Sequence, residues 1–375
     1  MKITLKRTPE QVELIKAMAS RNKTVAYEAQ VALAEFIGPV LAEVLNQAPT
    51  VSNLFQSLQF NADDNPSIPL DLYYNISDED YVNVWSQSHA GGLPTNQVLP
   101  TASELKLATY SLDSAVSFDR RYAAKSRMDV VSKTFTRVAQ EILIKQETTS
   151  ATLLMTSVAN ATTNSKPHVQ TNQVEGKFTL ADMNDLLTLA KRINTSWIGG
   201  TPTARGRGLT DLIVSPEIAG DIRSIAYNAI NSQDADATAP TTEGLAAPDE
   251  LRMDLFRNAG LPEFYGLSIM EINELGKASK FGTIFGTAAA ASTVAGFPTY
   301  TTADMDLVIG VDRSRDSLIR AVAVDSENGS EFNLIADDQY SIRQNKIGYF
   351  GSIDEGRVVL DNRVLTGTIV TAPTS

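Results

Sequence analysis

Residues 126–158 read SRMDVVSKTFTRVAQEILIKQETTSATLLMTSV and show the clearest helical pattern in the chain. Their large apolar residues step by three and four positions, which places them on one side of a helix. The series is Met128, Val131, Phe135, Val138 and Ile142. Ser126 and Asp129 have the spacing of a capping box, with Asp in the place of the usual Glu or Gln. The pattern predicts a helix over 127–158, about 48 Å long.

A helix of this length is unusual, because helices in globular proteins average about 11–12 residues. Thr148, Thr149 and Ser150 interrupt the pattern with side chains that compete for backbone hydrogen bonds. The alternative to one long rod is therefore two ordinary helices that meet at these residues.

Residues 9–47, on the N-terminal side, also have helical spacing. Pro9 suits a first turn, and an apolar stripe runs from Val31 to Leu45. Gly38-Pro39 is expected to kink or split this run. The stripe must be covered, and two alternatives are open: an arm that reaches another surface, or a helical hairpin on the main core.

Residues 61–120 have a strand pattern. After a turn-rich segment we expect a strand over Leu70–Ile76, and residues 81–85 and 110–118 alternate as strands do. The last two runs predict a long two-stranded ribbon, with a Gly-rich turn between them. An isolated ribbon is marginally stable in water, so we expect it to lie on another surface, in the same chain or in a neighbouring subunit.

The second half of the chain has an α/β pattern. Residues 159–178 are predicted to be a polar linker, followed by a helix from Thr179 and a buried strand at Asp211–Val214. Ser215-Pro216 then has the order of a helix cap and first turn. Further predicted elements are a loop over 233–247, a helix over 248–258, and strands over 265–272, 307–311, 318–324, 339–350 and 358–369. The uncharged stretch Phe281–Ala303 is too rich in Thr and Gly for a bilayer span, and it predicts a region of strand and loop that is either buried or at an interface.

Composition excludes several classes of function. The chain has 32 Lys plus Arg against 44 Asp plus Glu, a formal charge of −12, and no basic cluster, which disfavours nucleic-acid readers. It has no cysteine, which excludes disulfides, thiolate nucleophiles and Cys-ligated metals. Residues 1–10 lack a signal-peptide pattern, so we expect a cytoplasmic site of synthesis and no association with a membrane.

Catalytic motifs are also missing. His89 and His168 stand far apart, in a Gly-rich turn and in the predicted linker, and no Gly-x-Ser-x-Gly elbow is present. Residues 275–279 approach a phosphate loop but lack its glycine spacing and its hydroxyl. We therefore expect no catalytic, cofactor or metal site. A pair of distant carboxylates would leave no motif, so an enzyme site within residues 178–335 remains an alternative.

The order of these parts resembles the major capsid protein of tailed bacteriophages, which has the Hong Kong ninety-seven fold. Two stretches carry the resemblance in sequence: DLIVSPEIAGDIR at 211–223 and the run from Asp338 to Ile369. The resemblance implies an α+β fold with an N-terminal helical arm (1–60), a peripheral domain (61–177), an α/β axial domain (178–335) and returning C-terminal strands (336–375). Within the peripheral domain it implies an extended β-hairpin loop (77–120) and a spine helix (127–158).

The resemblance also implies a function without catalysis. Members of the family form hexamers and pentamers of an icosahedral shell that encloses double-stranded DNA. Scaffolding, portal and cement or decoration proteins are then expected as partners, in a virion capsid assembled in the host cytoplasm. In some members a loop Lys bonds to a neighbour's Asn. Only Lys106 lies in that segment here, and no motif identifies its partner, so this chemistry is not carried over. An encapsulin-like nanocompartment shell is an alternative.

The candidate assembly contacts lie on the predicted loop and on the long helix. Large apolar side chains on an exposed ribbon and charged side chains on the outer side of a rod are suited to contacts between subunits. These candidates are Trp85, Leu93, Tyr110, Phe118, Glu141 and Glu147.

Overall fold

The computed structural model describes residues 8–46, 51–61, 66–69, 104–163, 165–198, 208–225, 263–264, 266–314, 317–324, 331–337 and 344–371. They form an α+β fold, as the resemblance implies. The helices are α1 (Pro9–Met18), α2 (Lys23–Asn46), α3 (Arg120–Ala124), α4 (Met128–Asn160), α5 (Leu180–Ile198), α6 (Pro216–Ile225) and α7 (Lys280–Ala291), with 3₁₀ turns at Val51–Leu54 and Asn362–Val364. The strands are β1 (Gln56–Asn61), β2 (Ser67–Pro69), β3 (Glu104–Lys106), β4 (Tyr110–Asp119), β5 (Thr162–Thr163), β6 (Lys166–Pro167), β7 (Val169–Thr171), β8 (Asp211–Val214), β9 (Glu263–Phe264), β10 (Leu267–Glu271), β11 (Met305–Val311), β12 (Leu318–Val324), β13 (Asn333–Asp337), β14 (Lys346–Val359) and β15 (Leu365–Thr371).

The chain divides into two compact units, each built from three stretches. Unit 1 takes residues 1–68, 105–151 and 318–358, and unit 2 takes residues 69–104, 152–317 and 359–375. The resemblance places residues 318–335 in the axial domain, whereas the structure places them in unit 1. The physical reason is a long-range pairing, because β12 lies parallel to β1 over six residue pairs.

Unit 1 contains a five-stranded sheet in the order β1-β12-β14-β13, with β4 also beside β14. The alternation predicted for residues 110–118 is present in β4. Its inward side chains, which include Leu112 and Val116, lie opposite inward residues of β14 such as Ile353 and Tyr349. This inner face shares one core with the apolar side of α4, including Val131 and Phe135. A pairing of β4 with residues 81–85 lies outside the described residues, as do the predicted strand over Leu70–Ile76, the loop over 233–247 and the helix over 248–258.

Helix α4 runs unbroken from Met128 to Asn160, so the two-helix alternative is wrong. Hydroxyl groups at the suspected break bond back to the preceding turn of the same helix. Thr149 Oγ1 donates to the Lys145 carbonyl at 3.0 Å, and Ser150 Oγ donates to the Gln146 carbonyl at 2.7 Å. The hydroxyl groups therefore find their hydrogen-bond partners within α4, and the helix continues without a break.

The N-terminal helices α1 and α2 pack on each other and share the core of unit 1 with α4 and β14, as in the hairpin alternative. Helix α2 continues through Pro39 without the predicted split. Because Pro39 has no N–H, the Glu35 carbonyl lacks its usual donor in the helix. Both residues are exposed, so water can donate to this carbonyl instead. Residues Lys23–Leu45 of α2 are long and apolar enough to cross a membrane. In the structure, however, 44% of an 18-residue apolar window within them is buried inside the chain.

Unit 2 contains a six-stranded sheet in the order β7-β15-β11-β8-β10-β9, which shares a core with α5 and α6. The predicted strand at Asp211–Val214 and the helix start at Pro216 are confirmed. Two predictions are wrong. The linker over 159–178 contains β5, β6 and β7, and the uncharged stretch begins with helix α7, which Ser279 caps by accepting from the Gly282 N–H at 3.3 Å. The run of alanines in α7 favours a helix more than its Thr and Gly residues disfavour one.

Candidate assembly surface

The predicted loop has a closed base. Strands β2 and β3 pair with each other, and the Leu107 N–H donates to the Pro66 carbonyl at 3.0 Å. The two residues that flank the segment 70–103, Pro69 and Glu104, therefore lie on paired strands. Trp85 and Leu93 belong to that segment and lie outside the described residues, so their assignment stays a prediction.

Unit 1 exposes most of the large apolar side chains that the described residues leave in solvent. Nine of the ten such residues belong to it. They are Val25, Tyr27, Phe36, Val40, Leu58, Tyr122, Ile144, Ile335 and Phe350. The tenth, Val174, is in unit 2.

Three strands bring part of this apolar surface together on the outer face of the sheet. Phe350 of β14 lies opposite Ile335 of β13 on one side and opposite Ala115 of β4 on the other. All three residues are exposed. Side chains directly opposite each other on one sheet face are in contact range, so they form a continuous row.

Glu141 lies on the outer side of α4. It is exposed, and Ile144, one turn further along, is 55% exposed. The opposite side of α4 faces the core of unit 1. The structure therefore places Glu141 on open surface, and its contact with a neighbouring subunit stays a prediction.

Phe118 and Glu147 make contacts within their own chain. Phe118 is 5% exposed, and its ring stacks on Tyr349 with the ring centroids 6.4 Å apart. Glu147 Oε1 accepts from the Val51 N–H at 3.1 Å and so holds the turn that precedes β1. Phe118 has no open surface to offer a neighbour because the inner face of β4 is covered by helices.

Tyr110 takes part in a buried ionic cluster. Its hydroxyl donates to Glu355 Oε1 at 2.9 Å and accepts from Arg357 Nη1 at 2.7 Å. Burial, together with the charge of Glu355, raises the pKa of Tyr110 to about 12, although the charge of Arg357 opposes the shift. Both the donor and the acceptor capacity of the Tyr110 hydroxyl group are therefore used within unit 1.

Glu355 is the centre of this cluster and is fully buried. Its Oε2 accepts from Arg320 Nε at 3.0 Å and from Gln146 Nε2 at 3.0 Å, and its Oε1 pairs with Arg357. With Tyr110 included, the partners come from α4, β4, β12 and β14, so a single carboxylate ties four elements of unit 1 together. Sequence reasoning missed this cluster, because only the i, i+2 spacing of Glu355 and Arg357 on one strand face signals it.

The carboxylate that best fits the enzyme alternative is Asp306 in unit 2. Burial raises its pKa to about 6. Its Oδ2 accepts from Ser215 Oγ, and its Oδ1 accepts from the Leu307 N–H at 2.7 Å. Ser215 Oγ also accepts from the Ile218 N–H at 3.2 Å, so it caps α6 as the sequence predicts. Both oxygens of this buried carboxyl group accept hydrogen bonds from neighbouring groups of unit 2.

His168 lies in the interior instead of in a linker. Its Nδ1 is 3.0 Å from the Leu365 carbonyl and 3.2 Å from the Asn362 carbonyl, so the proton is assigned to Nδ1. Nε2 then accepts from Thr163 Oγ1 at 2.8 Å. Burial lowers the pKa of His168, which favours the neutral ring. Among the described residues no group of three or more His, Asp or Glu is placed to hold a metal ion.

No protein-family model matches the sequence, and no curated protein matches it. Solved structures to which the chain is similar include the capsid of an empty GTA particle, at 11% identity and a TM-score of 0.49, covering 86% of this chain and 90% of that one. The capsid of cyanophage P-SCSP1u is similar at 12% identity and a TM-score of 0.49, over 88% and 89% of the two chains. The SrpI encapsulin of Synechococcus elongatus is similar at 11% identity and a TM-score of 0.45, over 86% and 87%. All three TM-scores are below 0.5, so the function proposed next rests on the geometry of the described residues.

Proposed function

We propose that this chain is a structural shell subunit, a major capsid protein that forms hexamers and pentamers of an icosahedral shell around double-stranded DNA. The supporting observation is that, among the described residues, exposed apolar side chains are concentrated on unit 1, including the row Ala115, Phe350 and Ile335. Apolar surface gathered on one part of a protein marks an interaction site. A subunit that repeats in a closed shell covers such surface with its own copies.

Two further features support the proposal. Strands β2 and β3 pair with each other on either side of residues 70–103, in which the sequence predicts strands that need another surface. The net charge of −12 keeps the protein from gripping the duplex, so that DNA can be packed without adhering to the wall. In this function the chain works without catalytic turnover.

The proposed setting follows from the proposed function. The subunit is assembled in the host cytoplasm and resides in the virion capsid, with scaffolding, portal and cement or decoration proteins as partners. A nanocompartment shell would enclose a protein cargo instead. Nuclease-protected DNA in purified particles supports the capsid, and particles that contain only protein support the nanocompartment.

The proposal is tested by size-exclusion chromatography and negative-stain electron microscopy of the purified chain. We expect capsomers or closed shells from the unmodified chain. Deleting residues 85–100 should leave a folded subunit, because β2 and β3 still pair, but should abolish closed shells. A control deletion within the predicted loop 233–247 should retain them. A chain that stays monomeric at high concentration contradicts the proposal, and normal shells from the 85–100 deletion contradict the role of the loop.

A further inference from the structure

Strand β1 ends the sheet of unit 1. It pairs with β12, and no second partner strand for it is found among the described residues. Its sequence, QSLQFN, has no charged residue, no proline and no glycine. An edge of this kind presents a row of backbone N–H and C=O groups that can bind another strand.

Other strands that border the sheets are protected. Asp113 and Asp119 lie in β4, Asp337 lies in β13, and Glu263 lies in the two-residue β9. Strand β7 is uncharged but has only three residues. Charge and short length are the usual devices that prevent pairing between edges. Among the described border strands, β1 alone combines six residues with the absence of charge.

The faces of β1 are also open. Residues 56–59 and 61 are exposed, and only Phe60 is partly buried. Leu58 is 40% exposed. Strands in parallel pairs are ordinarily covered on both faces, and β1 pairs with β12 in parallel. Among the described residues, no strand therefore covers the outer edge of β1, and its faces are more exposed than those of a parallel strand usually are.

We propose that a strand from a second copy of this chain adds to the free edge of β1 when subunits assemble. This inference rests on the proposed function. It names a second copy because the chain itself supplies matching chemistry: residues 81–85, YVNVW, are uncharged and are predicted from sequence to be a strand that needs another surface. Neither segment has a charged residue of its own, and the nearby Glu331 carboxylate, which accepts from Gln59 Nε2 at 3.0 Å, is exposed. Main-chain hydrogen bonds supply the affinity.

The first test compares two Ser→Lys variants of the full chain. Ser57 is exposed on β1, and Ser268 is exposed on β10, whose two edges are paired with β8 and β9. We expect Ser57→Lys to raise the concentration needed for assembly at least about tenfold, because a charge must then be desolvated at the joint. Ser268→Lys should assemble as the unmodified chain does, and both variants should keep its urea midpoint. Normal assembly of Ser57→Lys overturns the inference.

The second test uses the absence of cysteine from the chain. Leu58→Cys introduces a single thiol on β1, whose rate of alkylation can be followed in free subunits and in shells made of this chain alone. We expect the rate to fall at least about tenfold on assembly, because the added strand shields the edge. An unchanged rate in intact shells overturns the inference while leaving the proposed function standing. A chain that never self-associates contradicts both.

Discussion

Unit 1 and unit 2 distribute their apolar and polar groups differently. Unit 1 leaves nine of the ten exposed large apolar side chains of the described residues on its surface and gathers buried charge at Glu355. Among its described residues, unit 2 exposes one large apolar side chain, Val174, and buries individual polar groups such as Asp306 and His168. We infer that unit 2 is closer to a self-sufficient fold, and that unit 1 is built to be completed by contacts with other subunits.

The largest expected effect concerns the buried charge of unit 1. Glu355→Gln removes the negative charge that the buried Arg320 and Arg357 side chains share. We expect the free energy of unfolding to fall by about 3–5 kcal/mol, measured by urea titration. The exposed control Glu141→Gln should change it by less than about 0.5 kcal/mol. A loss below about 1 kcal/mol for Glu355→Gln would show that the cluster does not hold unit 1 together.

A matched pair of Ile→Ala variants compares the two units directly. Ile213 is fully buried in β8 of unit 2, and Ile335 is 49% exposed in β13 of unit 1. We expect Ile213→Ala to cost about 2–5 kcal/mol of stability, because it leaves a cavity. Ile335→Ala should change stability by no more than about 0.5 kcal/mol but should weaken self-association, measured by sedimentation. Equal effects on stability would remove the contrast between the units.

The polar groups of unit 2 predict opposite responses to pH. The folded-state pKa of Asp306 is raised from 3.8 to about 6, so its contribution to stability is full below pH 4 and is lost as the pH rises through 6, by about 3 kcal/mol. The pKa of His168 is lowered from 6.5, so its contribution is present above pH 6.5 and is lost on acidification. Urea titrations from pH 4 to 8 check both directions.

Two variants separate these contributions. Asp306→Asn should remove the loss of stability between pH 4 and 6, and His168→Gln should remove the loss below pH 6.5. Ser292, which also lies in unit 2 but does not titrate, provides a control through Ser292→Ala, whose pH profile should keep the shape of the unmodified chain. If Asp306→Asn keeps the original slope between pH 4 and 6, the carboxyl is not the source of that dependence.

Local patterns allowed much of the fold to be predicted. The stripe of α4, the alternation of β4 and the cap at Ser215 each depend on residues close in sequence, and the structure contains all three. Features that depend on distant partners were not predicted. The pairing of β4 with β14 and of β1 with β12 joins segments more than 200 residues apart, and no local period encodes such a choice.

The candidate surface shows the same division. Glu141 was placed on the open side of α4 by helical spacing alone. The alternation of β4 predicts a subunit contact for Phe118 wrongly, because it defines two faces of the strand without saying which one is covered. The cluster at Glu355 was missed because its partners come from separate elements that only tertiary packing brings together.

The short pair formed by β2 and β3 has a consequence for how this chain can change over evolutionary time. Because β2 and β3 pair, the segment between them can change in length with little effect on the rest of the fold. Extra residues in a loop whose ends are already held together add little entropic cost. Insertions between Pro69 and Glu104 are therefore a tolerant route to new specificities, and a practical position for grafting a foreign peptide.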